Sequence, residues 1–364
     1  MTTLALDSPP SLGGRLVNAL TRPEATPMLA KAIYLRALAL AVRQNRLALA
    51  AALINARHGR PGFFSLTLVD GAPELFGEVG IVFRGGRCRL YVNRHVPGSP
   101  RIAYWARRLD ATLPLFAACR DMEDGQTSVG IDDVSLAPGL AFSDWRPDRF
   151  LVPDAIFLGE QAYRRVARHY AEHAVPWDER RPVAFWRGTT TGRCAPGEWR
   201  TLDRVRLCEL GAAHPDLFDV GISDVVQLNE ADTAAVRASS LMRPFVPDTE
   251  FIRYRWQIDI DGNSNAWPGM FLKLLSGSPV LKVASRGGYR QWYYDRLVPG
   301  VNFVPVATDL SDLVEKVRWL KANAAEARRI GTAGRALALS MTVPAELQRA
   351  QPTIRAALRQ GGEQ

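Results

Sequence analysis

Arg187, Gly188, Thr189, Thr190, Thr191, Gly192 and Arg193 stand in a row directly after the apolar run Val183 to Trp186. Glycine amides, threonine hydroxyls and two guanidinium groups at the end of a strand are what a diphosphate requires of a backbone that closes around it. A second segment, Asp261, Gly262, Asn263 and Ser264, also follows a strand-like run and continues through Asn265, Ala266 and Trp267 to Pro268 and Gly269. It places a carboxylate, an amide, a hydroxyl and a helix N-terminus close together, a set that can contact ribose or sugar hydroxyls as well as phosphate. Neither segment is a Walker motif or a G-x-G-x-x-G turn, so kinase-like and dehydrogenase chemistries lose ground. Each alone is equally an ordinary turn, and their weight comes from lying at the same edge of one sheet.

The elements around them predict such a sheet. From residue 183 onward, strand and helix alternate: the Trp186 strand, a helix from Leu202 to Leu210 ended by Gly211, a strand at Leu217 to Val220 and a strand from Phe251 to Ile260. They continue with a helix after Trp267, a strand from Pro279 to Val283, a helix around Tyr289 to Leu297, a strand from Phe303 to Val306, and paired helices after Asp309, with Asp309 as N-cap and Asp312 as the N3 acid. That order is the signature of a parallel sheet wrapped by helices, an α/β fold. In Phe251 to Ile260 the apolar side chains alternate with Arg253, Arg255, Gln257 and Asp259, and period two means strand.

The first half reads differently. Met28 to Ile54 predicts one amphipathic helix, and Phe63 to Leu68, Gly80 to Phe83 and Cys88 to Val92 predict hairpin strands. A helix from Ile102 to Leu109 follows, then a buried strand from Pro114 to Cys119 running into Arg120 and Asp121, and a helix from Gln161 to His173.

The chain has 364 residues, 47% of them hydrophobic, and a net charge of +9, enough for two domains with an anionic partner. The basic residues form no block, so a nucleic-acid partner is not expected. Cys88, Cys119, Cys194 and Cys208 form no C-x-x-C pair and no zinc spacing, so no metal is expected. The start lacks the pattern of a secretion signal, which predicts a cytoplasmic protein with free thiols. Lys31, Arg36, Arg43 and Arg46 interrupt the Ala/Leu-rich helix; it packs on the N-terminal domain, with peripheral contact at the inner face of a membrane as the alternative.

Phe185 to Gly188, Asp261 to Asn263, Leu274 to Ser278, Trp292 to Pro299, and Asn302 to Val306 followed by Asp309 to Leu313 together resemble the pattern of glycosyltransferase family 90. The likeness is dense from 183 to 335 and weak before 110. That family includes capsule- and lipopolysaccharide-modifying sugar transferases and Rumi-type protein O-glucosyltransferases. The resemblance implies a GT-B architecture of two Rossmann-like domains facing a cleft. Residues 1–165 would form an acceptor-side domain, 166–342 a donor domain, and 343–364 a C-terminal helix and tail packing back on the first.

The resemblance further implies an inverting, metal-independent transfer from a UDP-sugar, with glucose or xylose as the sugar and a glycan, lipid-linked saccharide or other hydroxyl acceptor. No cofactor beyond the donor is implied. Asp121, after Arg120 at the end of an apolar run, matches the family's catalytic base, with Asp124, Asp132 and Asp133 as competitors. Phe142, Ser143, Asp144 and Trp145 match a stretch near the acceptor. The donor side takes in both loops and Asp219, with Arg187, Arg193, Lys273 and Lys282 as the available cations. At Gly269 this chain departs from the family, which commonly carries an arginine there. That departure motivates the alternative of a non-catalytic protein binding an anionic glycan, membrane or nucleic acid on a degenerate transferase fold.

Overall fold

The computed structural model describes residues 26–71, 76–119, 122–133 and 135–362 and contains two α/β units on separate sheets. In the first, α1 (Thr26–Arg43) and α2 (Leu47–Arg57) precede β1 (Phe64–Val69), β2 (Glu78–Arg84) and β3 (Arg87–Asn93). Then come α3 (Ile102–Thr112), α4 (Pro114–Ala117), β4 (Gly125–Gly130), β5 (Leu140–Ala141), β6 (Ser143–Asp144) and β7 (Phe150–Leu151). The sheet order is β1-β3-β2-β4-β5-β7. As expected, β2 and β3 form an antiparallel hairpin, but β1 lies parallel to β3, so this sheet is mixed. Its inner face, including Val79, Ile81, Leu90 and Val92, packs with Trp105 and Phe116 in the core.

After α5 (Ala155–Gly159) and α6 (Arg164–Glu172), the second unit alternates as the sequence predicts: β8 (Arg181–Thr189), α7 (Asp203–Ala213), β9 (Phe218–Asp224), α8 (Glu230–Ala238), β10 (Tyr254–Asp259), α9 (Trp267–Leu275) and β11 (Val280–Val283). The short β12 (Arg290–Gln291), β13 (Val304–Val306), α10 (Leu313–Ala322), α11 (Ala324–Ser340) and α12 (Val343–Gly362) complete it. All neighbours in the order β13-β11-β10-β8-β9 are parallel. The α/β class and the arrangement of two units about a cleft stand. Trp186 and Trp256 fill one side of this sheet, while Gln257 and Asp259 on the other side are equally buried, because a central parallel strand is covered on both faces.

The units share an apolar seam. Phe142 meets Trp267 edge-to-face at 5.5 Å and Phe157 meets Phe271 at 5.3 Å. A two-stranded antiparallel ribbon, β6 with β12, crosses the seam, and α12 returns to β4, where Gln126 Nε2 donates to the Gly361 carbonyl at 2.9 Å. Among the described residues no helix is long and apolar enough to cross a membrane, and the four cysteines are unpaired.

Several expected elements differ. Met28 to Ile54 is two helices, broken at Gln44 to Arg46 where Asn45 takes a φ of 56°. Pro114 to Cys119 begins as α4 rather than a strand: Pro114 suits a helix's first turn, and a short apolar run has no period that separates buried helix from buried strand. The helix expected from Gln161 starts at Arg164, because Gln161, Ala162 and Tyr163 all have positive φ. Asp248–Arg253 is a 3-10 turn, so β10 starts at Tyr254. Around Tyr289 to Leu297 there is no α-helix; the pairing of β12 with β6 and a 3-10 turn at Tyr294–Arg296 replace it. The residue directly before α10 is Asp312, while Asp309 accepts hydrogen bonds from the Ser311 amide and hydroxyl.

Gly211 lies inside α7 rather than ending it, and a Cβ there would overlap Val220 Cγ2 on β9. Alanine would gain about 1 kcal/mol in helix propensity, yet the contact allows no room. Gly211→Ala is expected to lower stability by about 1–3 kcal/mol in urea melts, with Val220→Ala in the same chain restoring part of the loss.

Candidate active site

Both glycine-containing loops leave the C-terminal edge of the parallel sheet, the first after β8 and the second after β10. Arg204, on the first turn of α7, joins them. Its Nε donates to the Asp261 carbonyl at 2.9 Å, and its Nη1 donates to the Thr189 carbonyl at 3.2 Å and to Thr191 Oγ1. Gly262 permits this closeness, because a Cβ there would stand 2.6 Å from Thr191 Oγ1 and 2.9 Å from Arg204 Nη2. Burial pulls the Arg204 guanidinium down to about 10, against the opposite pull of Asp259 and Asp261, so it remains charged at neutral pH.

Behind the second loop lies a buried ion network. Asp259 at the end of β10 receives Lys273 Nζ at 2.9 Å and Lys282 Nζ at 3.0 Å, and Lys282 reaches on to Asp261 at 2.8 Å. Burial pushes the Asp259 carboxyl up, but the two ammonium groups outweigh it and hold the group at about 2. With Arg204, three cations face two carboxylates, an excess of positive charge at the strand ends. A Cβ on Gly269 would lie 3.2 Å from Lys273 Nζ, so Lys273 is the cation nearest that position. Asp261 Oδ2 and the Ser264 hydroxyl are buried without a hydrogen-bond partner among the described residues. Asn265 donates to the Tyr289 carbonyl at 3.2 Å and stands 3.3 Å from Asp261 Oδ1, while the Ala266 carbonyl receives the Gly269 amide at 2.8 Å.

The remaining first-loop residues have protein partners of their own or pack. Arg187 donates to Asp219 at 2.7 Å, and Asp219 also pairs with Arg181 at 2.8 Å. Thr190 is fully buried, its hydroxyl exchanging two 2.8 Å hydrogen bonds with the Val226 backbone. A Cβ on Gly188 would press on the Trp186 ring. Arg193 is different: it is exposed, and no hydrogen bond or ion pair engages its side chain among the described residues.

Arg193 lines a cleft of about 810 Å³ between the units, with Gln227 and Asn263 on its own side and Arg101, Asp132 and Asp133 opposite. Asp132 accepts from Tyr104 at 3.0 Å and pairs with Arg101 at 3.3 Å; Asp133 stands 3.5 Å from Asn263 Nδ2. Burial, then the neighbouring Asp132 charge, raises the Asp133 carboxyl above the usual carboxylate range. The chain just beyond is anchored: buried Glu78 accepts from the Leu136 and Ala137 amides at 2.7 and 2.8 Å, and Arg146 and Arg149 donate to the Ser135 carbonyl. Asp124, by contrast, accepts from the Gly85 amide at an exposed turn. Arg120 and Asp121 lie outside the described residues.

On the acceptor-side stretch, Phe142 and Trp267 belong to the seam. Ser143 donates to Asn265 Oδ1 at 2.8 Å and so links the units. Asp144 is buried between Arg146 at 2.7 Å and Arg149 at 3.1 Å, and despite burial their hydrogen bonds and charges bring its carboxyl below the usual range. Trp145 is 42% exposed, edge-to-face with Tyr289 at 5.4 Å. A second groove, about 650 Å³ on the outer face of the N-terminal sheet, has neither loop in its wall.

The two α/β units thus place paired loops at the edge of a parallel sheet opposite a carboxylate across a cleft. The family model of glycosyl transferase family 90 matches residues 140–343, more than half of the chain, and the chain belongs to that family. It is 32% identical over 171 residues to protein O-glucosyltransferase 3 of Homo sapiens, covering 47% of this chain and 30% of that protein. It is also 32% identical over 174 residues to uncharacterized protein 035R of Invertebrate iridescent virus 3, covering 45% of this chain and 15% of that one. The chain thus spans less than a third of the length of these curated relatives. Among solved structures it is similar to TarM at 12% identity and a TM-score of 0.36, over 50% of this chain and 37% of that one.

Arg204 is the residue that sequence reasoning passed over. Its signal was spacing: Arg204, Cys208 and Gly211 fall at i, i+4 and i+7 on the inner face of α7. Arg204→Ala is expected to speed amide exchange in residues 189–191 and 261–264 together by about tenfold or more, whereas Thr191→Ala affects the first loop alone. Arg204→Lys restores little, since one ammonium cannot reproduce the planar fork.

Proposed function

We propose that this protein is an inverting, metal-independent glycosyltransferase that holds a UDP-sugar between the two loops and transfers glucose or xylose to a hydroxyl in the cleft. The acceptor is a glycan, a lipid-linked saccharide or another hydroxyl compound. Family membership supports the transfer, and the name of the human relative supports glucose. The observation that carries the reading is the cleft itself, where Arg193, without an ion pair among the described residues, and Asn263 of the loops face Asp133.

In this reading the acceptor oxygen attacks the anomeric carbon as a carboxylate takes its proton, and the bond from that carbon to the UDP oxygen breaks. Inversion follows from a single displacement. Arg193, the loop amides and the excess charge behind the second loop offset the charge that develops on the departing diphosphate. Two acids compete for the base. Asp121 follows from the motif; Asp133 follows from the geometry, and burial raises its carboxyl above the usual carboxylate range, which suits a proton acceptor.

Calorimetry with UDP should give saturable binding that is unchanged by EDTA and little affected by salt. With UDP-glucose and UDP-xylose, slow donor hydrolysis provides a turnover readout without a known acceptor. Asp133→Asn is expected to cut that turnover roughly 10²–10⁴-fold while UDP affinity stays within about twofold. If only Asp121→Asn does so, the base is Asp121. Absence of UDP binding, together with steeply salt-dependent binding of an acidic polysaccharide, would instead support the non-catalytic reading, which Gly269 and the pairing of Arg187 with Asp219 favour.

A further inference from the structure

We propose that the outer face of the α1–α2 hairpin is a docking surface for an anionic lipid bilayer. Residues 25–69 contain Lys31, Arg36, Arg43, Arg46, Arg57 and Arg60 and no Asp or Glu, so this segment carries six of the chain's nine net positive charges. The hairpin is two-faced. Leu38, Ala41, Val42, Ala50 and Ile54 are buried against the N-terminal unit. Opposite them on α1, Leu29, Arg36, Leu40 and Arg43 are exposed at spacings of 7, 4 and 3, which fall along one stripe of a helix with 3.6 residues per turn.

Leu29 and Leu40 are 41% and 53% exposed, and on α2 Leu49 is 47% exposed beside exposed Ala48 and Ala52. Arg46 stands in the turn between the helices. The side chains of Arg36 and Arg46 make no hydrogen bond or ion pair among the described residues, and Arg43 donates only to the Ser99 carbonyl, which leaves its charge unneutralised.

Charge selects the occupant. A single exposed leucine is ordinary. Leucines interleaved with arginines on two helices that contain no acidic residue match a surface that is both negative and able to receive apolar groups, as the headgroup and upper acyl region of an anionic leaflet is. A nucleic acid would use the arginines and leave the leucines wet. This proposal rests on the hairpin alone and stands apart from the cleft and its chemistry.

The test is co-sedimentation of the full chain with vesicles of phosphatidylcholine alone or containing about one-third phosphatidylglycerol. The expected result is binding to the anionic vesicles at least roughly tenfold stronger than to the neutral ones, weakened but not abolished by high salt. Arg36→Glu with Arg46→Glu, and separately Leu40→Ser with Leu49→Ser, should each reduce that binding about tenfold or more while thermal melting stays unchanged. The proposal is overturned by no binding to anionic vesicles, by equal binding to neutral ones, or by full binding in either double variant. It is also overturned if a 20-nucleotide RNA binds as tightly as the anionic vesicles and only the charge-reversed variant loses it.

Discussion

Asp259 ends the central strand with no solvent exposure, and the arrangement of the second loop depends on what surrounds it. A lone buried carboxylate would cost several kcal/mol, so the site exists only because Lys273 from α9 and Lys282 from β11 reach it from two directions. Lys282 continues to Asp261, and Arg204 then grips the Asp261 carbonyl and the first loop. One strand end thereby sets the position of two loops, a neighbouring helix and a neighbouring strand. The network carries more positive than negative charge, and under the proposed function that surplus would lie behind the leaving diphosphate.

The N-terminal unit faces this edge through connections that resist sliding. Ser143 meets Asn265, β6 pairs with β12, and aromatic side chains fill the seam beneath. Asp133 is held opposite Asn263 by a chain that Glu78, Arg146 and Arg149 pin just beyond it. The carboxylate and the loops therefore meet through packing on both sides of the cleft.

The parallel sheet was legible because strand and helix alternate with clear periods and turn residues from residue 183 onward, and both loops could be placed at its edge. What periodicity could not tell was whether a face is covered. Gln257 and Asp259 read as the polar side of a strand and proved as buried as the other side, because α9 lies over them. Pro114 to Ala117 shows the same limit in reverse, a buried helix with the composition of a buried strand. Within the first loop, residue type suggested three equivalent threonines, yet Thr190 is turned to the Val226 backbone and Thr191 to Arg204. Such partners come from other elements, and nothing local in the chain marks them. Arg204 itself reads as one more surface arginine until its spacing from Cys208 and Gly211 is counted.

A crystal structure with UDP bound tests the account most directly. The diphosphate should lie against the amides of residues 188–192 and the Arg193 guanidinium, with the second loop closing over the ribose and the ion pairs of Asp259 intact. UDP in the groove of the N-terminal sheet, or a diphosphate reached only after Lys273 or Lys282 has left Asp259, would contradict it.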